Sequence, residues 1–499
     1  MPALHRRWLL AFAALLLAFG FLGKRGLWDP DEGRYSNVAL NMLDSGDWLN
    51  PRRTYEVGHW TKPPLTYWAV AASVGAFGPK PWAARLPSAL AYLLSAWLLW
   101  CIARRLLPGQ EDVAALVFIT MLVPFAASQL ITTDSLLMMF ETLAMLGYVE
   151  ARFGPARRAR LAGWVMWAGF ALAFLTKGPP ALLPLLAMLA FDRATRDAAR
   201  HRVFDFAGLA VFLLLAAPWY IAVTANTPGL LGYFLGDEVV GRVASNEFDR
   251  NGQWYGWLLV YLPTLALGTL PWSRDLLAAL RGVPENWARW RDGGRRREAA
   301  AWLLPWLWLA LPLAVFCLSR SRLPLYVLPL FVPIALIVAR QRHQAGQTWP
   351  RWPWLVAWVV LLLALKLLAA ALPSHKDASA WARALRERNA GTIDRVIFVD
   401  DMARYGLHLH LGLSTQIEKI ALKPSPQPRF NPVYDETLAI ELAESTGDPR
   451  TIWITKQEQW PRLAAELRAR GARGVPLGAL YQRRVIFRVE RLHGAAPIR

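Results

Sequence analysis

Long apolar runs, broken at short intervals by clusters of arginine, fix the class of this chain before any motif is considered. Stretches near Trp8–Gly23, Ala83–Cys101, Val113–Gln129, Ser135–Val149, Leu161–Leu175, Ala181–Phe191 and Phe204–Val223 have the composition of membrane spans. Trp254–Trp272, Ala301–Leu318, Leu323–Ala339 and Trp354–Leu372 continue the series, predicting about eleven spans. Arg104 and Arg105, then 152–160, 193–202, 274–297 and 340–351, carry the basic residues on one side of that alternation. The positive-inside rule makes this side cytoplasmic, with the N-terminus inside and the C-terminus outside. It also absorbs most of the net charge of +20, so no nucleic-acid partner is expected. The first apolar run lacks a small-residue cleavage site after Phe21 and is read as an uncleaved span. Cys101 and Cys317, the only two cysteines, lie in or at the ends of apolar runs, which argues against a disulfide framework or a thiolate metal site.

The reading divides the chain into a transmembrane domain over 1–372 and a soluble domain over 373–499. In the second, Arg395–Asp400, Thr451–Thr455 and Val485–Val489 read as strands, and Trp381–Arg388 and Arg462–Arg470 as helices, the last stopped by Gly471. A small α/β domain on the outer side is expected. The long loop at 24–82 is also outer, with interfacial helices predicted at Asn37–Leu49 and Leu65–Phe77.

That loop opens with Trp28-Asp29-Pro30-Asp31-Glu32-Gly33-Arg34-Tyr35. Proline ahead of two acids reads as a helix start, with negative charge where the macrodipole favours it. Asp31, Arg34 and Tyr35 then share one helix face. A carboxylate beside a cation and a phenol at a membrane surface has the makings of a general base. An ordinary capped helix with a solvated acidic turn is the structural alternative.

The remaining ionisable residues of interest gather at outer span ends, where charge is costly unless a cavity receives it. Asp134 begins one span, as N-cap or site residue, and Glu141 lies two turns deeper on nearly the same face. Lys177, before Gly178-Pro179-Pro180, is either a snorkelling lysine or part of a phosphate cradle. Arg242, Arg320 and Arg322 run against the positive-inside trend and point to an anionic ligand on the outer side.

Taken in order, Asp31-Glu32-Gly33-Arg34-Tyr35, Lys62-Pro63, Thr133-Asp134, Leu175-Thr176-Lys177-Gly178, Ala217-Pro218-Trp219-Tyr220, 238–242 and Ser321-Arg322-Leu323-Pro324-Leu325-Tyr326 resemble the bacterial aminoarabinose transferases and their relatives. These are GT-C glycosyltransferases related to protein O-mannosyltransferases. The resemblance implies an all-α multispan bundle with interfacial helices in its first outer loop. It also implies an enzyme of the bacterial inner membrane whose site faces the periplasm. The donor would be a sugar on a polyprenyl phosphate, the acceptor lipid A or another envelope lipid or glycan, with membrane lipids around it. Carried over by position, Asp31 and Glu32 would be catalytic. Lys62, Lys177 and Arg242 would hold the donor phosphate, while Arg34, Tyr35, Asp134, Arg322 and Tyr326 would line the cavity. The glutamate that typically precedes the lysine-proline pair in that family is replaced here by Thr61. No essential cofactor or metal is therefore expected, although a divalent ion is compatible. A lipid-linked glycan flippase is the alternative from another class, and would call for internal hydropathy repeats and mid-span charges. The sequence shows neither clearly.

Overall fold

The computed structural model describes residues 3–195, 205–241, 251–291, 300–347, 349–423 and 426–492. Its contacts divide the chain into two compact units. One comprises 1–22, 62–66 and 85–367; the other comprises 23–61, 67–84 and 368–499.

The first unit is helical. Among the described residues, six helices are long and apolar enough to cross a membrane: Pro81–Leu106, Ala156–Lys177, Phe206–Asn226, Ala301–Leu318, Pro324–Gln344 and Trp352–Ala371. The expected spans outside this set are shorter, interrupted or more polar. The Val113–Gln129 run forms two helices, Glu111–Thr120 and Leu122–Ala127, separated by Met121 in extended conformation. Thr133–Phe153 is long enough but carries Asp134, Glu141, Glu150 and Arg152.

Helix Thr133–Phe153 folds back through a short turn onto helix Ala159–Lys177. Glycine makes that approach possible. A Cβ on Gly147 would lie 2.4 Å from the backbone nitrogen of Met166, and one on Gly169 would lie 2.6 Å from that of Ala144. Small residues at such crossings let helix backbones touch and pack by dispersion where no hydrophobic drive exists. The antiparallel register fixed by these contacts carries Asp134, in the first turn of one helix, to the level of Lys177, in the last turn of the other.

The second unit is built on a six-stranded sheet. Its strands are β1 (Arg395–Val399), β2 (Gln416–Ala421), β3 (Glu436–Thr437), β4 (Thr451–Lys456), β5 (Ala472–Pro476) and β6 (Arg484–Arg491), in the order β3-β2-β1-β4-β6-β5. Strand β1 is parallel to β2 and β4, and β6 is antiparallel to β4 and β5. Both faces are covered, which explains the continuous apolar runs of the central strands. Val396, Phe398, Ile452 and Ile454 pack with Trp381 and Leu385, whereas Ile397, Val399 and Trp453 pack with Leu463 and Leu467.

Strands β2, β3 and β5 escaped the sequence reading. In β2 the adjacent Glu418 and Lys419 break any polar–apolar alternation, β3 has two residues, and β5 carries an arginine, a glycine and a proline.

The contact units also cut the chain differently from the boundary expected after residue 372. Residues of the first outer loop belong to the unit that holds the sheet, because its backbone is stitched there. Asp29 N donates to Lys376 O at 3.0 Å, and Ala378 N donates to Leu27 O at 2.9 Å. The Asn37 amide donates to Arg53 O at 2.6 Å, and its oxygen lies 2.8 Å from His408 Nδ1.

Candidate active site

The acidic motif forms the helix its sequence predicts, Asp31–Ser45, with Asp31 and Glu32 in the first turn. The structure separates the two carboxylates sharply. Glu32 is buried, pairing with Arg25 at 2.8 Å and accepting from Trp28 N at 2.9 Å, so it fastens the helix entry. The side chain of Asp31 is 70% exposed and touches Arg34 at 3.4 Å. Asp31 is thus the carboxylate that a substrate can reach. Tyr35 packs beside Tyr67, with ring centroids 5.8 Å apart, on a small apolar cluster with Val38 and Met42.

The carboxylate that sequence reasoning passed over is Asp29. It is 1% exposed; Oδ1 accepts from Gly406 N at 2.9 Å and Oδ2 has no hydrogen-bond partner among the described residues. Gly33 exists for this contact, since a Cβ there would lie 1.8 Å from Asp29 Oδ1. Burial pushes the Asp29 carboxyl from an ordinary 3.8 up to about 7, against the lowering effect of the Gly406 bond and Arg404. The folded chain then binds more protons than the unfolded one between these values. The stability Asp29 contributes is fully present below about pH 3.8 and is lost as pH rises through about 7. The shift corresponds to about 4 kcal/mol at most. Between pH 5.5 and 8.5, the Tm of wild type should fall relative to Asp29→Asn; parallel profiles would refute this account.

In the helical unit, Lys177 and Asp134 form an ion pair, their side chains only 8% and 10% exposed. Lys177 Nζ also lies 4.2 Å from the ring centre of Tyr326, a cation–π contact. Thr132 Oγ1, accepting from Asp134 N at 3.3 Å, caps the helix, which releases the Asp134 side chain to face Lys177. Glu141 is buried deeper in the same helix. Lys177 is followed by Gly178 at φ +76°, and the Tyr220 hydroxyl lies 3.5 Å from Phe174 O, so four of the sequence motifs converge there.

Lys62 is held separately, 3.6 Å from Glu238 Oε2, while Glu238 Oε1 accepts from the Tyr233 hydroxyl at 2.9 Å. Arg322 is engaged with backbone: Nη1 donates to Asn251 O and Gln253 O at 2.7 Å each, and Nη2 to Cys317 O at 3.0 Å. It clamps chain segments together in this structure. Arg242 lies outside the described residues.

Largely enclosed lysines held beside carboxylates suit a site that receives an anion. An ammonium has three donors, so Lys177 retains hydrogen-bonding capacity beyond Asp134.

Known proteins resemble this chain in sequence and in fold. Residues 61–221 match the family model described as dolichyl-phosphate-mannose-protein mannosyltransferase. An undecaprenyl phosphate-alpha-4-amino-4-deoxy-L-arabinose arabinosyl transferase of Pseudomonas aeruginosa (strain LESB58) is 34% identical over 352 residues, covering 67% of this chain and 60% of that protein. The like-named protein of Edwardsiella ictaluri is 32% identical over 323 residues, covering 63% and 55% respectively. ArnT from Cupriavidus metallidurans bound to undecaprenyl phosphate superposes with a TM-score of 0.75 at 22% identity, covering 97% of this chain and 98% of that one. The chain has the GT-C fold and is a multi-pass membrane protein. Its sequence is similar to those of the aminoarabinose transferases, and its fold to that of ArnT. Its match spans about 60% of the length of the first of those curated relatives.

Proposed function

We propose that this chain is a glycosyltransferase of the bacterial inner membrane. On this reading it moves a sugar from a polyprenyl phosphate to an acceptor on the periplasmic side. The observation that carries the reading is the buried Lys177–Asp134 pair against Tyr326, formed by motifs whose order resembles that of the aminoarabinose transferases. The relatives' names favour undecaprenyl phosphate as carrier and 4-amino-4-deoxy-L-arabinose as the sugar; lipid A as the acceptor rests on the motif resemblance alone.

The chemistry is a displacement at the anomeric carbon. The bond from that carbon to the phosphate oxygen breaks, and a bond to the acceptor oxygen forms. Negative charge grows on the departing phosphate, where fixed cations stabilise it most. Lys177 and Lys62 supply that charge, with Arg242 assigned to the same task by motif. If the acceptor is a hydroxyl, its proton passes to Asp31; an already ionised phosphate acceptor needs no base. Among the described residues no group of three or more His, Cys, Asp or Glu could hold a metal.

Comparing lipid A, core and envelope glycoprotein masses between a deletion strain and its parent tests the assignment. A single missing sugar mass, restored by the wild-type gene, is expected on lipid A. Identical masses in every fraction would refute the transferase reading.

A further inference from the structure

The chain is strongly basic overall, yet one cavity of the sheet unit is acidic. It has a volume of about 310 Å³ and lies at the amino ends of the parallel strands, where Arg395, Gln416 and Thr451 begin β1, β2 and β4. Seven of its lining residues are carboxylates, against two arginines.

Internal pairing consumes only part of that charge. Arg395 contacts Glu441 and Glu444 at 3.1 Å each and Glu418 at 3.5 Å, so one guanidinium serves three acids. Arg450 holds Asp394 at 2.7 Å and Asp448 at 3.7 Å, and Asp435 is taken by Arg53 from outside the lining. Glu436 has no ion-pair partner among the described residues, and its Oε2 is buried without a hydrogen bond. A second, independent observation is Gln416. It lines the cavity and is 7% exposed; its amide nitrogen donates to Asn41 Oδ1 at 3.4 Å, while its Oε1 has no donor among the described residues. Buried acceptors of this kind are ordinarily satisfied, and each one left open calls for a missing donor. A water could serve Gln416, but it would leave the excess negative charge uncompensated.

We propose that this cavity binds an amine-bearing ligand of about monosaccharide size, its ammonium received among Glu418, Glu436 and Glu444 and a further donor by Gln416 Oε1. The volume is at the lower end of small-molecule sites, about 300–1,000 Å³. A metal ion is a poorer occupant, because it requires several oxygens converging at about 2–2.6 Å. No acidic or histidine cluster of that kind occurs among the described residues. Burial and the neighbouring Glu444, Glu441 and Glu56 push the Glu436 carboxyl up to about 7, and burial beside Glu441 pushes Glu418 up as well. A bound ammonium relieves both. All the lining residues lie in the sheet unit, so the proposal stands apart from the transferase reading.

The test is isothermal titration of the purified full chain in detergent with D-glucosamine, N-acetyl-D-glucosamine and calcium chloride. Saturable glucosamine binding is expected, with the acetylated sugar, which lacks the charge, at least about tenfold weaker. Glu436→Gln and the more exposed Glu444→Gln should each weaken glucosamine binding by about tenfold. If Glu436→Gln fails to fold, Glu444→Gln alone decides. Equal binding of both sugars, binding unchanged in the folded variants, or calcium binding without amine binding would overturn the proposal, as would no binding at all.

Discussion

Replacing Asp31 by asparagine is expected to lower transfer to a hydroxyl acceptor by about 10²–10⁴, the usual contribution of a positioned general base. The substitution keeps size and much of the hydrogen bonding while removing the proton acceptor. Geometry assigns the larger effect to Asp31 rather than Glu32. The Asp31 side chain is exposed beside Arg34, whereas Glu32 is occupied by Arg25 and the Trp28 amide. Glu32→Gln should instead cost folding stability, because it leaves Arg25 without its buried charge partner. Single-turnover transfer, with donor binding followed separately, distinguishes these outcomes. Full activity of Asp31→Asn on a hydroxyl acceptor would remove it from the chemistry and leave the motif as a capped helix.

Lys177→Ala is expected to act twice. It removes a charge-assisted contact to the donor phosphate worth about 1.5–3 kcal/mol, a loss of about tenfold or more in kcat/KM. It also leaves Asp134 as a buried carboxylate without its cation, which destabilises by about 3–5 kcal/mol in comparable buried pairs. The double variant Lys177→Met, Asp134→Asn separates the two. Without net charge at the pair it should recover thermal stability yet remain poor at using donor. Recovery of wild-type kcat/KM would show that Lys177 merely neutralises Asp134.

Much of the membrane unit was legible because apolar periodicity and arginine placement are physical requirements of a bilayer. The Lys177–Asp134 contact was partly within reach. Two helices joined by a short turn pack antiparallel, and counting back from Gly154-Pro155 brings their far ends together. What the sequence concealed is long-range. Asp29 looked like a loop residue ahead of a proline, and only its contact with Gly406, 377 positions away, makes it a buried carboxyl. Arg322 read as a ligand residue from its side of the membrane, but its guanidinium is engaged by carbonyls of 251 and 253. The acidic cavity was invisible for the same reason, since its carboxylates come from four separate stretches of chain.

The most direct test of the transferase account follows the lipid carrier itself. Purified full-length protein, reconstituted in vesicles with a sugar-charged undecaprenyl phosphate and lipid A, should release free undecaprenyl phosphate in step with the mass gained by the acceptor. Lys177→Ala should slow both together. Donor that crosses the bilayer intact, with no free carrier and no change in acceptor mass, would contradict the account and make the chain a flippase.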